Sequence, residues 1–347
     1  MHFAAGYWRG RTRRHAAVLA ITAVLLVVLN LLVNLGLNQW NRWFFDMLEK
    51  RESNRLVEAM AAMLVLIVGG AGFAVAMVKC QMTLQLGWRR WMTHRLLGLW
   101  RRQIDDGLPA VPEESEGSPQ YRLAEEVRLA IEPIVELSIG FLNALVLAVM
   151  FIAILVVVGG TARLNVAGVE IAIPAYLALT AIAYAAAVSS GILRIGRPLV
   201  RRLQEKNESE ALFLFELTRA IDARHDTVRP QQGPATKHDF GSVRKAFHRA
   251  VRSWRRVIVE YGRVTWPMNM NAHFSPILPL ILAAPKYVTG EYSLGAVIQL
   301  ATAFVAVLGA LNWLTDNYVR LAEWSASARR VDELRSALKG RLDTASR

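Results

Sequence analysis

Leu137–Val158 reads LSIGFLNALVLAVMFIAILVVV, 22 consecutive residues without a formal charge. As an α-helix it would rise about 30 Å, the thickness of the hydrocarbon core of a bilayer. A buried strand needs only about 4–8 such residues, and a helix of a soluble domain would show a polar face. Five further stretches are similarly long and lack Asp, Glu, Lys and Arg: Ala16–Leu37, Ala59–Val78, Ile171–Leu193, Val264–Pro285 and Tyr292–Thr315. The pattern predicts an all-α membrane protein with six transmembrane helices, at about 16–37, 57–78, 137–158, 171–193, 264–285 and 292–315.

Composition agrees with that class. Hydrophobic residues make up 54%, mean hydropathy is +0.27, and 20% of residues are charged against about 25% in an average soluble domain. The net charge of +13 would suit a nucleic-acid binder, but the basic residues lie between the apolar runs, where the positive-inside rule accounts for them. No nucleic-acid partner is expected. Arg and Lys crowd the N-terminus, the 79–130 segment, the 194–263 segment and the tail, so both termini are predicted to be cytoplasmic. Arg9, Arg11, Arg13 and Arg14 precede the first run as in a signal peptide, but no small-x-small cleavage site follows, and a retained first helix is expected.

Residues 1–15 mix arginines with Phe3, Tyr7 and Trp8, the pattern of an amphipathic arm lying on lipid headgroups. Asn38–Arg55 reads as a short polar link with Trp40, Trp43, Phe44 and Phe45 in an interfacial belt. The second span is expected to continue as a basic helix to about Arg102. Asp105–Gln120 is an acidic loop rich in Pro and Gly, and a helical pattern resumes over Tyr121–Glu132. A short outer link leads to the fourth span, with Pro174 in its first helical turn. From Arg194 to Arg263, 16 Lys/Arg face eight Asp/Glu. There Glu205–Ile221 and Val243–Tyr261 read as the arms of a cytoplasmic helical hairpin, reversing between them. The fifth span holds Pro267, Pro276, Pro279 and Pro285 and should be irregular. Asp316–Leu338 is expected to form a last amphipathic helix, and 339–347 a flexible tail.

Polar side chains inside such spans are the candidates for function. Asn30, Asn34, Asn143, Asn269, Asn271 and His273 are candidate cavity or substrate residues, each with interhelical packing as the plainer role. Glu132 and Glu136 lie at the membrane boundary, four residues apart, and are candidates for carrying a proton; the plainer reading places them in cytoplasmic water. His2, His15, His94, His225, His238, His248 and His273 have no metal-ligand spacing, and one cysteine, Cys80, excludes an intrachain disulfide. No nucleophile elbow, dinucleotide fingerprint or G-x-x-x-x-G-K-[ST] occurs in the 347 residues, so no catalytic residue, cofactor or metal is expected in this chain, and no ATP hydrolysis by it alone.

Three stretches in register with the spans carry a resemblance: Asn38–Glu52 (NQWNRWFFDMLEKRE), Arg194–Asn207 (RIGRPLVRRLQEKN), and Ala284–Gln299 (APKYVTGEYSLGAVIQ) continued by Gly309–Arg330. They resemble the transmembrane half of exporter-type ABC transporters, and most of all the SbmA/BacA-like and YddA-like permeases of the bacterial inner membrane. The resemblance implies a homodimer of six-helix halves with long cytoplasmic helical extensions and a cavity opening alternately to each side. It implies peptides or amphipathic compounds as substrates. Two drives stay open: ATP through a separate ATPase subunit, or the proton gradient, as in the SbmA/BacA-like permeases. A non-transporting scaffold is the third reading. Asp222–Asp239, with Pro230, Gly233 and Pro234, departs from the continuous helix usual at the coupling surface of these proteins.

Overall fold

A computed structural model describes Tyr7 and residues 13–105, 127–166, 169–226 and 238–345. Most of the expected N-terminal arm, the acidic loop, the start of the helix expected at Tyr121–Glu132 and the reversal between the hairpin arms lie outside the described residues. So do the last two residues of the tail.

The described chain is almost entirely helical. Its elements are α1 (Arg13–Glu49), a single 3-10 turn (Ser53–Arg55), α2 (Leu56–Asp105), α3 (Val127–Gly159), β1 (Thr161–Val166), β2 (Val169–Pro174), α4 (Tyr176–Asp226), α5 (His238–Phe274), α6 (Ile277–Val288), α7 (Leu294–Asp316) and α8 (Tyr318–Ala345). Five helices, α1, α2, α3, α4 and α7, are long and apolar enough to cross a membrane. The fifth expected span, 264–285, is not one long helix. Its first half ends α5 at Phe274 and its second half falls in α6. Pro276 lacks an N–H and disfavours helix at Ser275, which puts the break there.

Several local boundaries differ from the expectation. Pro174 does not open a helix but closes β2, paired with Thr161 in an antiparallel hairpin that ends at Val166–Val169. The alternating, β-branched VEIAIP is a strand signal that the apolar run concealed. Asn38–Arg55 is not a link until its last few residues, because α1 runs to Glu49, where Arg51 in the left-handed region (φ 57°) turns the chain. The two arms of the expected cytoplasmic hairpin are the continuous outer parts of α4, 51 residues long, and α5, 37 residues long. The last helix starts at Tyr318, after a break in which Asn317 donates from its backbone to the Thr315 and Trp313 carbonyls.

The chain divides into two compact units. The first comprises residues 1–182 and 279–347. Its centre is α7, a mainly apolar helix most of whose first half is buried against its neighbours. Leu300, Ala303, Phe304 and Val307 are wholly buried, and α7 packs on α1 and α3. Ala301 and Ala303 let neighbouring backbones come close, the usual device where lipid removes the hydrophobic drive for helix pairing. Towards one end, Met92, Leu96, Val127, Ile131 and Val331 join α2, α3 and α8 in a second core. The outward face of α2 carries exposed Leu64, Val65 and Val68, as lipid contact requires. The second unit, residues 183–278, is built on α4 and α5. Phe213 and Phe247 meet across it with centroids 5.5 Å apart, and Lys206 lies over the Trp254 ring.

Candidate functional site

In the first unit, three of the candidate amides come together. Asn30 on α1 donates through Nδ2 to Asn143 Oδ1 on α3 at 3.2 Å. Asn34, one turn on, donates to the Asn30 carbonyl at 2.8 Å. A polar pair in an apolar span costs least when each group answers the other, and this pair does so partly buried. Beside it Gly140 admits the Trp313 ring of α7, which also lies against Phe141.

Glu132 and Glu136 lie on α3 a few residues before its long apolar run, and each meets an arginine of another helix. Glu132 faces Arg89 of α2 at 3.5 Å and Arg128 of its own helix at 3.0 Å. Its carbonyl accepts from Gln85 Nε2 at 2.9 Å. Glu136 takes Arg320 Nη2 of α8 at 2.6 Å. Trp324 Nε1 of α8 donates to the Ala130 carbonyl at 2.9 Å. The entrance of α3 is thus tied to α2 and α8 through two carboxylates, both about 40% exposed or more. Pairs this wet contribute about 0–1 kcal/mol each, so their geometry tells more than their strength.

In the second unit, Asn271 on α5 accepts from the Tyr184 hydroxyl of α4 at 2.8 Å. Phe274 lies 6.2 Å from the Tyr184 ring. Above this pair a crevice of about 280 Å³ is lined by Tyr184, Ile192, Trp266, Pro267, Met270 and Phe274. Asn269 and His273 are four residues apart and share another face of α5 from Asn271. Asn269 donates back to the Thr265 carbonyl, and His273 is exposed. The three candidates of this span therefore do not form one cluster.

One polar constellation was not anticipated from the sequence. Asn38 on α1 donates to the Gln299 carbonyl at 3.0 Å and to Thr302 Oγ1 at 2.8 Å on α7. Gln299 donates to Gln39 Oε1 and accepts from Arg42. Asp46 Oδ1 then takes the Gly295 N–H at 2.9 Å, and Glu49 Oε2 the Leu294 N–H at 2.9 Å. Two carboxylates of α1 so cap the N-terminus of α7, where unpaired N–H groups and the helix dipole favour negative charge. Asp46 and Glu49 at i and i+3, and Gly295 just after a Ser N-cap, were the available signal. Neither points to its partner some 250 residues away.

Five long apolar helices with sparse polar pairs between them are the build of a polytopic membrane protein. The chain belongs to the SbmA/BacA-like family, whose model matches residues 11–339. It is also 24% identical over 332 residues to the inner membrane ABC transporter ATP-binding protein YddA of Escherichia coli, covering 93% of this chain and 58% of that protein. An uncharacterised ABC transporter ATP-binding protein of Synechocystis is 23% identical over 281 residues, 80% of this chain and 39% of its own length. ABC transporter D family member 2 of Arabidopsis thaliana is 21% identical over 340 residues, 98% of this chain and 45% of that protein. The chain spans about half the length of the curated relatives it matches. Family and architecture together support a general role in membrane transport, and a multi-pass place in the bacterial inner membrane.

Proposed function

We propose that the chain is one half of a homodimeric permease that moves peptides or peptide-like amphipathic compounds by alternating access, driven by the proton gradient. The observation that carries this reading is the family match over residues 11–339 on a scaffold of long apolar helices. In this reading the end of α5 and α6 supply the sixth crossing, and both termini are cytoplasmic. Asn30, Asn34, Asn143, Asn269, Asn271 and His273 offer polar contacts to substrate.

Glu132 and Glu136 are the coupling groups. A carboxylate that takes up a proton loses the charge that holds its arginine. Protonating Glu136 therefore releases Arg320, and with it one of the ties between α8 and α3. That gives a proton a mechanical consequence at the mouth of the spans, which alternating access requires. The test is uptake of a labelled peptide into liposomes under an imposed pH gradient. Glu136→Gln should bind peptide but lose the gradient-driven component. Unchanged proton-driven uptake in that variant would remove Glu136 from the coupling role.

A second reading is favoured by the relatives. Those from Escherichia coli and Synechocystis carry ATP-binding in their names, and this chain aligns with only part of each. In this version a separate ATP-binding subunit supplies the drive, and uptake appears only with ATP and that subunit. Absence of uptake under either drive would favour the non-transporting scaffold.

A further inference from the structure

The first unit contains a cavity of about 900 Å³ that none of the polar pairs above uses. It is large for a small-molecule site, which spans roughly 300–1,000 Å³. It lies where the helix ends gather. Gly159, the last residue of α3, gives its carbonyl to both Lys286 Nζ and the Tyr292 hydroxyl. The Ala175 N–H, just before α4, bonds the Gly160 carbonyl at 3.0 Å. Tyr176 reaches the Leu282 carbonyl of α6. The C-terminal ends of α3 and α6 and the N-terminal ends of α4 and α7 thus meet at one end of the bundle. The long apolar runs of α3 and α7 also end or begin there, the level expected to meet lipid headgroups.

The chemistry of the lining is divided. One part is apolar, with Leu179, Ile281, Leu282 and Pro285. The other carries Arg163 from β1, Lys286 and Glu291. Lys286 is sunk to 15% side-chain exposure, sits over the Tyr292 ring at 4.9 Å and the Tyr176 ring at 5.6 Å, and meets Glu291 at 3.6 Å. Glu291 is 60% exposed, so water shares it. Arg163 is exposed and has no carboxylate partner among the described residues. Two cations and one carboxylate leave one positive charge in excess at the polar part of an otherwise apolar cavity.

We propose that this cavity holds an anionic phospholipid, its phosphate on Arg163 and Lys286 and part of an acyl chain on the apolar wall. A phosphodiester carries the single negative charge that the polar part lacks, and offers oxygens that suit the arginine fork and the lysine point charge. The apolar wall beside the cations rules against a small hydrophilic anion as the preferred occupant, since it would leave that wall wet. The hairpin β1–β2, which brings Arg163 over the helix ends, then has a chemical task. The proposal stands whichever drive powers the protein.

The experiment is lipid titration of the full chain, stripped of lipid in a non-ionic detergent, read by native mass spectrometry. Wild type should bind one phosphatidylglycerol per chain about tenfold more tightly than phosphatidylcholine, the ratio expected for one charge-assisted contact. Arg163→Gln should erase that preference and leave phosphatidylcholine binding unchanged. Lys286→Gln should do the same. Because Lys286 also supports the Gly159 carbonyl, Arg163→Gln, at an exposed position, decides the matter if the lysine variant fails to fold. Arg252→Gln, in the other unit, serves as the charge control and should change nothing. Equal affinity for the two lipids in wild type, or a preference that survives Arg163→Gln, overturns the proposal. Displacement of the lipid by an equal concentration of inorganic phosphate also overturns it, in favour of a free anion.

Discussion

Gly295 is the residue on which the packing of α7 against α1 turns. A Cβ there would collide with the Arg42 carbonyl and the Asp46 carboxylate, backbone on one side and a cap on the other. Neither can move without giving up a hydrogen bond. Gly295→Ala is expected to destabilise the protein by about 1–3 kcal/mol for overpacking, and by more if the Asp46 cap is lost. Gly72→Ala, whose Cβ would have no neighbour within 4 Å, is expected to be neutral or slightly stabilising because alanine favours the helix. Thermal unfolding in detergent measures both, and equal melting points for the two variants would refute the close-approach role of Gly295. The amides inside the spans, and the acids at the mouth of one, were legible as polar residues in or beside apolar surroundings. Their partners were not, because spacing along one helix carries no record of which helix lies opposite. Asn30 meets Asn143 and Glu136 meets Arg320 only through tertiary packing.

Among the elements, long apolar runs announced that helices were there but not where each one begins. The run from Ile171 to Leu193 has no break in hydropathy, yet its first four residues are strand and the rest helix. The residue between them, Ala175, sits in the left-handed region at φ 51°, which a sequence pattern does not advertise for alanine. The extension of α4 was legible as a helix, and its attachment to α5 makes a testable claim. Glu205 is gripped by Arg201 and Arg202 of α4 and by Arg256 of α5 at 3.3 Å. The hydrogen bond from Arg202, helped by the charges of Arg202, Arg256 and Arg201 and opposed by partial desolvation, holds its carboxyl below the usual carboxylate value. A group whose value is lowered in the folded state stabilises fully above its unfolded value, about 4.3, and loses that contribution as pH falls through the lowered one. Wild type should therefore melt higher than Glu205→Gln near neutral pH, and the gap should narrow as pH falls below about 4.3. A gap constant through that range would exclude ionisation of Glu205 as its source.

For the whole molecule, the second unit poses the question of what covers it. Leu214, Phe215 and Ile258 lie beyond the apolar spans, on the parts of α4 and α5 expected in the cytoplasm, and each is more than 60% exposed. Lipid explains exposed apolar side chains within a span but not outside one, and large apolar side chains gathered on a surface in water mark an interaction site. If the chain pairs with itself as proposed above, a second copy would offer the same apolar strip, and a two-fold axis would let one patch meet its own image. The expected outcome is a protein mass of twice 38.7 kDa by light scattering in mild detergent, after subtraction of the detergent. Phe215→Asp combined with Ile258→Asp should shift the protein toward the single chain. Each buries a charge without a partner in the dimer yet leaves it in water in the monomer, so the monomer's own melting point should barely move. A wild-type chain that is monomeric at micromolar concentration, or a dimer indifferent to both aspartates, would leave that strip to a partner of another kind and take the two-fold permease with it.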